Sequence, residues 1–296
     1  MLKRILFGAI MIAAVVALLA LDWWLEHGPA QPRLRGRTLI VGIPVAAAVA
    51  LLLLKAFTEI ESLSAAVGAF VLPVSGLAGA LGLGLLPFWA QFLSFRFEAA
   101  AVVVMLALMV MLVFAEQMLR RSPQDALRNV GGTLLAVFYL GVGGAMVLQV
   151  RFSFGVPVLA FFLAVVKFAD MAAYFTGSAV GRHKLVPAIS PGKSWEGLAG
   201  GLIVAAGVGM LGVRLLAGLK GGYYLGNMPL WQAAVFGVVV GLAGQFADLC
   251  ESLLKRSAKA KDAGAAVPEF GGVLDIIDSP LLASPIAYLL LAAACA

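Results

Sequence analysis

Charge is scarce in this chain: 12% of its 296 residues are Asp, Glu, Lys or Arg, and 62% are hydrophobic. Soluble domains carry about 25% charged and about 45–50% apolar residues, so a free-standing soluble enzyme is excluded. Cysteine and histidine are nearly missing, at two residues each. Cys250 and Cys295 lie at opposite ends of the last two apolar segments, and His27 and His183 are far apart. Neither a disulfide framework nor a Cys/His zinc centre is expected from so few. The alternating polar and apolar pattern of a membrane β-barrel is also missing, as is any internal repeat, low-complexity tract or separate soluble domain.

Long apolar runs are what the chain has instead. They recur at lengths of roughly 17–25 residues, each able to cross a hydrocarbon core of about 30 Å. The sequence therefore predicts an all-α, polytopic integral membrane protein with about nine transmembrane helices. The spans fall near 5–25, 38–54, 65–86, 99–115, 130–150, 155–176, 197–217, 231–253 and 280–296. Residues 1–150 read as scaffold helices and 151–296 as helices that carry the functional loops. Pro73, Pro87 and many glycines make 65–95 the place for a broken or re-entrant helix. The first run follows Lys3 and Arg4 but is long for a signal peptide. No A-x-A site follows it, and Trp23–Trp24 suit a membrane interface, so a retained helix is expected.

With nine spans, Lys and Arg on the side of the N-terminus and of the 177–196 and 254–279 loops outnumber those on the other side two to one. The positive-inside rule puts that side in the cytoplasm and the C-terminus outside, in the cell inner membrane. The net charge of +6 suits membrane lipid head groups or phosphates, though topology-setting loops alone would also supply it. No nucleic-acid partner is expected, and a homo-oligomer is compatible with the sequence.

The polar chemistry sits in two of these loops. Residues 255–278, KRSAKAKDAGAAVPEFGGVLDIID, hold Lys255, Arg256, Lys259, Lys261, Asp262, Glu269, Asp275 and Asp278. Just upstream, Asp248, Ser252, Lys255 and Lys259 share one helical stripe. An acid at membrane depth faces a polar cavity or a partner; for Asp248, Lys255 and a metal ion both qualify. The cations by themselves also fit a snorkelling helix end. Gly271–Gly272 allow close backbone approach or positive φ. Asp275 and Asp278 share a helical face, and Ser279–Pro280 reads as the start of the last span. Asp248, Asp275 and Asp278 can thus converge as hard oxygen ligands of the kind Mg²⁺ takes. The alternative is an acidic pair that offsets a helix dipole.

The other loop is KFADMAAYFTGSAVGRHKLVPAISPGKSWEG. Lys167, Asp170 and Tyr174 share a helical face, either lining a cavity or forming a neutralising ion pair. Gly192-Lys193-Ser194 does not read as a P-loop: position 187 is Pro187 where that motif needs glycine, and no strand is expected ahead of it. Ser194 reads as a helix N-cap, with Lys193 beside a helix N-terminus that could seat a phosphate.

These residues resemble the signature of the phosphatidate cytidylyltransferase (CDP-diacylglycerol synthase) family. SLLKRSAKAKD at 252–262 and PEFGGVLDIIDS at 268–279 match it in register, and AYFTG at 173–177 with SPGKSWEGLAGG at 190–201 resembles its second block. Coverage is strong over 167–296. Phe270 stands where the family usually has His, and Ile276 where it usually has Arg. The resemblance implies that CTP and phosphatidate give CDP-diacylglycerol and pyrophosphate, with Mg²⁺ as cofactor. It implies Asp248, Lys255, Asp275 and Asp278 as catalytic residues, the three acids holding the metal. Ser190, Lys193, Ser252, Arg256, Lys259, Lys261, Asp262, Gly271 and Gly272 would bind substrate. Two rivals remain at this point: a CTP-dependent enzyme acting on an isoprenoid or ether-lipid phosphate or a polyprenol, and a cation-coupled transporter.

Overall fold

A computed structural model of the chain describes residues 2–27, 33–34, 37–38, 41–92, 99–120, 123–218, 225, 228–267 and 271–295. Among them, eight helices are long and apolar enough to cross a membrane. The protein is an all-α, multi-pass membrane protein.

The chain divides into two compact units. The first comprises Met1–Leu148 and Ser257–Ile276, so the 257–276 loop joins the N-terminal helices rather than the C-terminal ones. It contains α1 (Leu2–His27), a two-strand turn β1 (Arg33–Leu34) and β2 (Arg37–Thr38), and α2 (Ile43–Ala66). Then follow α3 (Pro73–Gly84), α4 (Leu86–Trp89), α5 (Ala99–Arg120), α6 (Ala126–Ala136) and the start of α7 (Gly143–Phe154), with a π-helical turn, Val137–Val142, joining the last two.

The expected span at 65–86 is the one that differs. Gly68 (φ 76) and Pro73 delay the helix, which then runs for 12 residues. That is a rise of about 18 Å, too short to cross on its own. Polar side chains at membrane depth complete its start. Glu116 accepts from Val74 N at 3.3 Å and Ser75 N at 2.6 Å. Just before it, Asn129 Oδ1 accepts from Phe70 N at 2.8 Å and Thr133 Oγ1 from Leu72 N at 2.9 Å. The N–H groups of Leu72 and Ser75 are buried and would be costly without an acceptor. The far end of α3 packs through Leu83 against Met109 and Val137. Within Pro73–Gly84 the chain thus runs from the Glu116 end of α5 to the level of Met109.

The second unit comprises Gln149–Arg256 and Ile277–Ala296. After the last residues of α7 come α8 (Val156–Val180), the hairpin strands β3 (Lys184–Val186) and β4 (Ser190–Ser194), α9 (Trp195–Ala217) and α10 (Leu230–Ser257). Most of α11 (Leu274–Cys295) completes the unit. Glycines let its helices approach closely. A Cβ on Gly201 would lie 2.9 Å from Ala169 O, and one on Gly237 would collide with Ala205 O. Replacing Gly237 by valine is expected to destabilise the protein by about 1–3 kcal/mol, read as a lower thermal unfolding midpoint in detergent.

Two prolines, Pro280 and Pro285, stand inside α11. Pro285 cannot donate to Leu281 O; Ser284 Oγ does so instead, at 2.8 Å. The helix starts at Leu274, not at Pro280. Asp275 and Asp278 are therefore inside it rather than ahead of it, and Asp278 is buried.

Candidate active site

In the second unit, carboxylates from two helices converge. Asp248 and Glu251 lie three residues apart on α10, hence on one helical face. Asp278 is in the second turn of α11. One ligand oxygen from each of the three lies within 4.8 Å of the others. Glu251 and Asp278 are buried at 1% and 3% exposure, so they are shielded from the solvent that would otherwise disperse their charge.

Cations meet these acids. Lys193 Nζ lies 2.8 Å from Asp248 Oδ2 and donates to Gln245 O at 3.0 Å. Lys255 pairs with Glu251 one turn away. Ser252 Oγ donates to Asp248 Oδ1 at 3.3 Å, and Ser279 Oγ to Asp278 Oδ1 at 3.3 Å. The partner that the sequence left open for Asp248 is thus Lys193, from the hairpin, while Lys255 takes Glu251.

The hairpin is held in place locally. Ser194 caps α9 as expected, accepting from Gly197 N at 3.1 Å. Glu196 accepts from Arg182 N and His183 N and pairs with His183 Nδ1 at 2.7 Å. Arg256 Nε donates to Ile189 O at 3.2 Å. Beside the hairpin opens a cavity of about 430 Å³. Asp170, Tyr174, Ser190, Lys193, Gln245 and Asp248 give it polar walls, and Ala173, Leu185 and Leu198 apolar ones. Lys167 lies 3.8 Å from Asp170, whose other oxygen accepts from Gln245 Nε2 at 2.8 Å. Both sequence expectations for this group, an ion pair and a lined cavity, hold together.

The remaining candidates lie in the first unit. Lys259, with φ 55, sits in a left-handed turn beyond α10. Lys259, Lys261 and Asp262 are exposed. Gly271 has φ 92 and bridges to Val267. Gly272 is buried. Asp275 Oδ2 accepts from Ala263 N at 2.9 Å and Gly272 N at 2.7 Å, ordering the loop. Ile276 is half-buried; Phe270 lies outside the described residues.

Two acids escaped the sequence reading. Glu251 was passed over within a run of charged neighbours. Glu59, on α2, is 4% exposed and accepts from Val273 N and Leu274 N at 2.9 and 2.8 Å. A carboxylate inside an apolar span was the signal available for it.

The sequence model of the cytidylyltransferase family matches residues 34–294. The chain belongs to that family. It is similar to a phosphatidate cytidylyltransferase of Brucella suis, at 36% identity over 161 residues, 54% of this chain and 56% of that one. Its likeness to the Chlamydia pneumoniae phosphatidate cytidylyltransferase is 32% over 211 residues, covering 69% and 66% of the two chains. For the Bacillus subtilis protein of the same name it is 34% over 166 residues, 55% and 59%. The chain spans little more than half the length of the Brucella and Bacillus relatives it matches.

Chemically, three carboxylate oxygens at this spacing fit a hard divalent cation such as Mg²⁺. Beside them, two lysines offer charge that can bind phosphate oxygens. The cavity has Asp248 and Lys193 of this polar corner in one wall and Ala173, Leu185 and Leu198 in others.

Proposed function

We propose that this protein transfers the cytidylyl group of CTP to phosphatidate in the membrane, giving CDP-diacylglycerol and pyrophosphate. The observation that carries the reading is the group Asp248, Glu251 and Asp278 with Lys193 in the wall of the cavity, in a member of the cytidylyltransferase family. In this reaction a phosphate oxygen of phosphatidate bonds to the α-phosphorus of CTP, and the bond from that phosphorus to the β-bridging oxygen breaks. The nucleophile is already ionised, so no general base is needed. What the protein must supply is in-line alignment and neutralisation of negative charge.

Asp248, Glu251 and Asp278 would hold Mg²⁺, which when bound spreads positive charge over the triphosphate. Lys193 and Lys255 would turn their ammonium groups to phosphate oxygens, with Arg256 close to the hairpin at Ile189 O. Ser190 and Tyr174 would line the entry, and Leu185, Leu198 and Ala173 would meet the first methylenes of the acyl chains. The basic bias of the N-terminus and of both loops favours the cytoplasmic side, where CTP is, of the inner membrane.

The experiment is turnover by the detergent-purified protein with CTP and phosphatidate, with and without Mg²⁺. Metal-dependent CDP-diacylglycerol with equimolar pyrophosphate is the expected result. Product formed only from a diether or polyprenyl phosphate would replace phosphatidate as the acceptor, and no product from any of these would overturn the reaction.

A further inference from the structure

We propose that Glu59, on an N-terminal helix, is a positioning residue for the signature loop and the first turns of α11. Its two oxygens take the N–H groups of Val273 and Leu274, at 2.9 and 2.8 Å. These are the junction residues of a helix whose first N–H groups have no partner within the helix. Helix and acid are 214 and 215 residues apart in sequence, so no local rule dictates the contact. The carboxylate is buried, and a negative charge there also meets the positive end of the α11 dipole.

Two glycines make the room. A Cβ on Gly272 would lie 2.6 Å from Glu59 Oε2, and one on Gly264 would lie 2.8 Å from Glu59 Oε1. Both contacts are closer than real Cβ atoms tolerate. Gly272, the second glycine of the signature pair, thus has its open face filled by Glu59, which is a different use from admitting a phosphate. Asp275 acts beside it, accepting from Ala263 N and Gly272 N. Glu59 and Asp275 together tie down four backbone N–H groups around the start of α11. The helix that they start carries Asp278 in its second turn, so the placement of that carboxylate depends on where α11 begins.

The inference rests on the proposed metal site and reaction for its Mn²⁺ and kinetic readouts. The test compares Glu59→Ala, Glu59→Gln and a control, Thr58→Ala, in the full-length protein in detergent. Hydrogen exchange of the amides at 272–275, Mn²⁺ affinity by electron paramagnetic resonance, and turnover are measured on each. Losing two hydrogen bonds to a charged acceptor is expected to speed exchange there at least about tenfold in Glu59→Ala. Mn²⁺ affinity and kcat are expected to fall about 10–100-fold, the range for lost outer-shell support of a metal ligand. Glu59→Gln keeps an oxygen acceptor and is expected to fall between Glu59→Ala and the wild type, which also covers the case of an alanine variant that does not fold. Exchange at 272–275 no faster than in the control would overturn the proposal, as would faster exchange with Mn²⁺ affinity unchanged. If the proposed reaction or its metal site is wrong, turnover or Mn²⁺ binding is absent from every protein, wild type included, while exchange at 272–275 still decides the role of Glu59.

Discussion

Glu251→Gln and Asp278→Asn are each expected to weaken Mn²⁺ or Mg²⁺ binding by at least about 100-fold, the upper end of what lost outer-shell support costs. Turnover should fall at least as far. Asp275→Asn is expected to keep the metal within about tenfold and to show instead faster hydrogen exchange at Ala263 and Gly272, whose N–H groups it holds at 2.9 and 2.7 Å. The reasoning is geometric. Oxygens of Asp248, Glu251 and Asp278 lie within 4.8 Å of one another; ligands of one ion with oxygen bonds of about 2.0–2.1 Å are at most about 4.2 Å apart, so the carboxylates need to draw in by only about half an ångström to share it. The carboxylate of Asp275 is engaged by loop N–H groups. Metal affinity lost in Asp275→Asn and retained in Glu251→Gln would instead restore the set Asp248, Asp275 and Asp278 that the sequence suggests.

Lys193→Met is expected to cut turnover by about 10²–10³-fold, the usual loss when one preorganised group facing developing charge is removed, and at the same time to tighten Mn²⁺ binding severalfold. The two effects have opposite signs because the ammonium has two roles. In the structure it lies 2.8 Å from Asp248 Oδ2, where its positive charge opposes a divalent ion on the same carboxylate. With a triphosphate present, that charge serves the phosphate oxygens. Titration of Mn²⁺ by electron paramagnetic resonance, done without nucleotide, isolates the first role. Weaker metal binding in Lys193→Met would show that the lysine orders Asp248 rather than competes for it.

Much of this protein was legible in its sequence. Hydrophobic length alone fixed an all-α membrane protein, since backbone groups in a bilayer must be satisfied within helices. The cap at Ser194 follows from local rules of spacing and the structure shows it; of the stripe Asp248, Ser252, Lys255 and Lys259, α10 carries the first three, while Lys259 falls beyond its end at Ser257, in a left-handed turn. The signature residues pointed to the family that matches 34–294.

Tertiary structure decided the rest. Helical periodicity says that Asp248 and Glu251 share a face, but not which way α10 is rotated. Only packing shows that both carboxylates turn toward Asp278. Lys193 reaches an acid 55 positions away, and Glu59 caps a helix more than two hundred residues downstream. No short-range preference encodes such contacts. The start of α11 is the clearest case: Ser279–Pro280 carries a strong local signal for a helix start, yet the helix begins at Leu274. Glu59, brought from α2, satisfies the N–H groups of Val273 and Leu274 earlier in the chain, and Asp275, in the helix's own first turn, that of Gly272; a buried hydrogen bond to a charged acceptor outweighs a local preference of about 1 kcal/mol.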